Sequence, residues 1–89
     1  MTDVVYRRSP AAIWRSSSTL LVAAVPPHPP TRMSGSAGLV WQRLAQPTTI
    51  DAIVAALAAE TGGPADTIRA DVESLLEALR PLGLVEVVT

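Results

Sequence analysis

The chain has no cysteine, which rules out disulfides, thiolate metal ligands and a cysteine nucleophile together. It has no lysine either, so all seven of its cations are guanidiniums, the group suited to forked contacts with carboxylates. Histidine occurs once, as His28 inside Pro26-Pro27-His28-Pro29-Pro30. That stretch is a stiff, extended connector, and His28 reads as a solvent-exposed loop residue rather than a ligand or base. No apolar run is long enough to cross a bilayer. Arg15 with Ser16-Ser17-Ser18 interrupts any continuous apolar region near the start and the remaining run, Thr19–Val25, is short, so no export signal is expected and the chain is expected to be cytoplasmic. No glycine-rich phosphate loop follows a strand. The acids Asp66, Asp71, Glu73 and Glu77 lack metal-site spacing and read as a solvated face. This inventory predicts no cofactor, no metal and no autonomous catalysis.

What remains is a chain of 89 residues, enough for one domain with a single small core. Hydrophobic residues make up 48%, but many are alanines, so the few large side chains carry the packing. The net charge of −1 weighs against electrostatically driven binding to nucleic acid or to an anionic membrane. Charge is unevenly spread. Residues 1–47 hold five arginines against Asp3, whereas residues 48–89 hold two arginines against seven acids.

The clearest element is the last helix, Pro64 to about Arg80. Ile68, Val72, Leu75, Leu76 and Leu79 recur at three- and four-residue spacing and form one apolar side. Pro64 suits the first turn, Asp66 adds negative charge at the positive end of the dipole, and Pro81 with Gly83 stops the helix. A second helix is expected from Thr49 to about Thr61, with Ile50, Ile53, Val54, Leu57 and Ala58 inward. Thr48-Thr49-Ile50-Asp51 has capping-box spacing at its start, and Gly62-Gly63 ends it. A first helix, capped by Ser34 or Ser36, runs to about Leu44 on Leu39, Val40, Trp41 and Leu44.

Ahead of the helices, Ala11–Arg15 and Thr19–Val25 read as an antiparallel pair with a serine turn, and Thr31-Arg32-Met33 as a third strand. Val4–Tyr6 is expected to be a short edge strand or a frayed end, and Leu84–Val88 a terminal strand. The fold class is therefore α+β, a three-stranded antiparallel sheet followed by a three-helix bundle. The last two helices can form a helix-turn-helix, which raises DNA binding as an alternative. Four acids against two arginines in the last helix oppose that reading. Binding a peptide fits better, since a short exposed strand accepts another strand and a neighbouring helix supplies a groove wall.

The run Arg32-Met33-Ser34-Gly35-Ser36-Ala37-Gly38-Leu39-Val40-Trp41 resembles the small-residue turn into a helix of the PqqD-like family. So do Pro47–Ala59 (PTTIDAIVAALAA) and Ile68–Leu84 (IRADVESLLEALRPLGL). The resemblance is best over residues 31–85 and treats 1–89 as one PqqD-like peptide-recognition domain. It implies a winged-helix-like fold and a role as a peptide chaperone in ribosomal natural-product biosynthesis. Such a recognition element binds the leader of a precursor peptide as a strand added to the third strand and lying against the last helix. It presents the peptide to a modifying enzyme such as a radical SAM enzyme, a cyclodehydratase or a leader protease. Carried onto this chain, the peptide-binding residues are Thr31, Arg32, Met33, Arg69, Glu73, Leu76 and Arg80. Leu76 would be an apolar anchor, and Arg32, Arg69 and Arg80 would pair with acidic leader side chains. By spacing alone Met33 and Leu76 are equally core positions, and the opposite flank, with Asp71 and Ala78, is an equal candidate for the wall. A degenerate structural domain is a further alternative, and an open third strand allows a homodimer as well as a monomer.

Overall fold

The structure, a computed structural model, describes residues 4–88. It contains nine elements in the order β1 (Val5–Arg8), β2 (Ile13–Ser16), β3 (Leu21–Ala24), β4 (Thr31–Met33), α1 (Ser36–Arg43), β5 (Thr48–Thr49), α2 (Ile50–Thr61), α3 (Ala65–Leu79) and β6 (Val85–Val87). This is an α+β fold with two three-stranded antiparallel sheets and three helices.

The first sheet is the meander β2-β3-β4. Serines make its first turn, where the Ser17 N–H donates to the Leu20 carbonyl at 2.8 Å. The proline connector makes the second. Its register pairs Trp14 with Ala23 and Ala23 with Thr31, and likewise Ser16 with Leu21 and Leu21 with Met33. Side chains alternate across a pleat, so these rows share the inner face, and Leu21, Ala23 and Met33 are buried there.

The second sheet departs from the expectation of one sheet. β1 is its central strand, in the order β5-β1-β6, rather than an edge or a frayed end. Val5 and Tyr6 pair with Thr49 and Thr48, and Tyr6, Arg7 and Arg8 pair with Val87, Glu86 and Val85. The sheet is assembled from pieces far apart in sequence, and Thr48–Thr49 is too short to leave any alternation pattern.

Two caps also differ from expectation. Gly35, not Ser34 or Ser36, is the N-cap of α1, and no side chain caps that helix. Its φ of 59° with ψ of −130° lies where glycine alone is unstrained. At α2 the cap is Thr49, whose hydroxyl accepts the Ala52 N–H at 3.1 Å. Asp51 does not close a capping box. It ion-pairs with Arg69 on α3 instead.

Between the helices and the inner face of the first sheet lies one core. Trp41, Leu44, Ile53, Val72, Leu79 and Leu84 are its largest fully buried side chains, and no polar side chain is buried among the described residues. The apolar stripe of α3 contributes Val72, Leu76 and Leu79. Arg8 on β1 ties the two sheets together, stacking on Trp14 of β2 and on Trp41 of α1. Among the described residues no helix is long and apolar enough to cross a membrane.

Candidate functional site

β4 bonds to β3 along one edge, and among the described residues its other edge carries no strand. An edge of this kind presents unpaired N–H and C=O groups to an incoming chain. The pleat divides its three side chains. Thr31 and Met33 face inward, Met33 with 2% exposure, while Arg32 is exposed on the outer face. There Arg32 lies opposite Val22, and Val22 opposite Arg15.

The segments on either side of β4 lead to the turn after α3 and to α1. At the entry, a side chain built on Gly83 would come within 3.7 Å of the His28 ring, so the proline connector rests on the turn after α3. At the exit, the turn into α1 reaches an apolar cavity of about 80 Å³. It lies between all three helices, lined by Ser36, Ala37 and Val40 of α1, Leu57 and Thr61 of α2, and Ile68, Asp71 and Leu75 of α3. Asp71 and Leu75 thus lie on the flank of α3 that faces α1, whose first residue Ser36 follows β4 by three positions.

The opposite flank of α3 points elsewhere. Arg69, Glu73 and Arg80 share it by helical spacing, and Arg69 donates to the Asp51 carboxylate at the start of α2. Leu76 is 2% exposed and packs in the core beside Val72 and Leu79. The structure therefore brings Thr31, Arg32 and Met33 together on one strand, buries Met33 and Leu76, and turns Arg69 toward α2. Ile68, Ala37 and Ser36, which line the cavity, are not among the residues expected from the sequence. The only sequence signal for them was the seven-residue spacing of Ile68 and Leu75 and the small residues opening α1. Among the described residues no group of three acids or histidines is placed to hold a metal ion.

This arrangement offers backbone bonding along an edge, an apolar recess at one end, and guanidinium groups on the outer face. A model of the family described as coenzyme PQQ synthesis protein D (PqqD) matches residues 28–85, from the proline connector through all three helices to the first residue of β6. A solved structure described as TbiB1 in complex with the TbiA(beta) leader peptide is similar in fold, with a TM-score of 0.79 at 21% identity. The likeness covers 90% of this chain and 94% of that one. No curated protein matches.

Proposed function

The chain belongs to the coenzyme PQQ synthesis protein D (PqqD) family, and from that premise we propose that it is a non-catalytic adaptor which binds the leader part of a ribosomally made precursor peptide. The observation that carries this reading is the open edge of β4, with an apolar cavity between the helices that begins at Ser36, three residues beyond Met33. A leader strand adds to Thr31–Met33 through backbone bonds, and its inward side chains meet α3 near Leu75. The solved relative of similar fold is described as holding a leader peptide, which supports the class of ligand. Of the two flanks of α3, the one with Ile68, Asp71 and Leu75 is proposed as the wall, because Arg69 on the other is engaged by Asp51.

The adaptor presents its peptide to a modifying enzyme, of a class such as a radical SAM enzyme, a cyclodehydratase or a leader protease. Strand addition and pairing of β4 with a second copy compete for the same edge, so the peptide-bound form holds one leader per chain. Fluorescence anisotropy with labelled leader peptides from neighbouring precursor genes tests the reading. Saturable binding by the folded chain supports it, and failure of the cognate leader to bind removes it.

A further inference from the structure

The outer face of the β2-β3-β4 sheet is unusual for a face turned to solvent. One cross-strand row is Arg15, Val22, Arg32, and the adjacent pair is Ile13 and Ala24. Ile13 is 66% exposed, and Ile13, Val22, Ala24 and Pro30 line one shallow apolar depression there. No carboxylate belongs to any of these positions.

Four of the other five arginines are engaged, and the fifth, Arg80, lies at the end of α3, outside this sheet. Arg7, Arg43 and Arg69 each form an ion pair, with Glu86, Glu60 and Asp51, and Arg8 is stacked on two tryptophans. Arg15 and Arg32 have no carboxylate partner among the described residues. They stand on the same face, separated by one strand and by the apolar Val22.

A strand added at β4 extends each row by one residue. The residue placed directly opposite Arg32 falls on the outer face, with its Cβ about 5 Å from that of Arg32. Its two neighbours in the peptide turn inward beside Thr31 and Met33. An acidic side chain opposite Arg32 meets its guanidinium directly, with no competing carboxylate along the row. A lysine or arginine at that place faces the like charge of Arg32.

We propose that Arg32 is a specificity-determining residue that selects a peptide strand with aspartate or glutamate opposite it, placed between two inward-facing residues. This deepens the proposed leader-binding role and rests on strand addition at β4. The position it selects is fixed by register, so its chemistry is read separately from binding as such.

Panning a random peptide library on the full chain, and on its Arg32→Glu variant, tests the proposal. Arg32 is exposed and outside the core, so the variant keeps the fold. The wild-type chain is expected to enrich Asp or Glu at one position, and the variant Lys or Arg at that same position. Changing that acid to lysine in a selected peptide is expected to weaken wild-type binding about tenfold, and Arg32→Glu to recover it. Selected peptides that shift the β4 amides but show no charge preference overturn the role of Arg32 and leave strand addition standing. A library that yields no binder, or binders that leave the β4 amides unshifted, overturns strand addition and this proposal with it.

Discussion

Trp14 and Trp41 meet edge to face, their ring centroids 6.2 Å apart at 77°, although one lies on β2 and the other on α1. The Arg8 guanidinium sits 4.8 Å from the first ring and 5.5 Å from the second, so a residue of the other sheet closes the cluster. Trp14 keeps 40% of its surface in solvent, and its contacts are with Trp41 and Arg8 rather than deep in the core. Trp14→Ala is expected to cost about 2 kcal/mol from lost burial and the aromatic pair. Arg8→Ala is expected to cost about 1 kcal/mol. Urea unfolding of both single variants and the double variant checks this, and the two effects should fall short of additive because the groups touch.

Thr49 and Asp51 stand two residues apart but do different work. Thr49 caps α2 and Asp51 reaches Arg69. Thr49→Ala should lower stability by about 1 kcal/mol, with Thr49→Ser close to wild type. The Asp51–Arg69 pair is exposed, and Asp51→Ala should cost well under 1 kcal/mol. A larger cost for Asp51 than for Thr49 in thermal unfolding would contradict these assignments.

Two glycines three residues apart should respond in opposite senses. Gly35 has a φ of 59°, and nothing lies within 4 Å of a built Cβ, so Gly35→Ala costs about 1–3 kcal/mol through the backbone alone. Gly38 lies inside α1 with the same open space and no positive φ. Gly38→Ala should stabilise by about 0.5–1 kcal/mol. Chemical denaturation of the pair separates conformational from steric effects.

The flanks of α3 give a functional contrast. Leu75→Ala is expected to weaken leader binding about tenfold, by removing apolar wall surface beside the cavity. Arg69→Ala should leave affinity unchanged within about twofold, since Arg69 is turned to Asp51. Calorimetric titration of both variants distinguishes the two. A large loss for Arg69→Ala with none for Leu75→Ala would put the peptide on the other flank.

Much of this architecture was legible in the chain. The helical stripe of Ile68, Val72, Leu75, Leu76 and Leu79 matches an observed helix, and Thr31-Arg32-Met33 matches a strand. What stayed hidden depends on contacts distant in sequence. β5 is two threonines whose strand character exists only because Val5 and Tyr6 pair with them. Charge and spacing assign Asp51 to a capping box equally well, and only the approach of α3 hands it to Arg69. The side of α3 that lines the cavity with α1 is set by how the helix is rotated on the core. A stripe three residues wide, Val72, Leu76 and Leu79, leaves its two flanks equivalent in sequence.

The most direct test is an amide-shift titration of isotopically labelled chain with the leader peptide of a neighbouring precursor, followed by cross-strand nuclear Overhauser contacts. Strand addition predicts saturable shifts at Thr31, Arg32 and Met33 and at Asp71 and Leu75, with antiparallel contacts between the peptide and β4. A folded chain whose β4 amides stay in place while the cognate leader is in excess would contradict it.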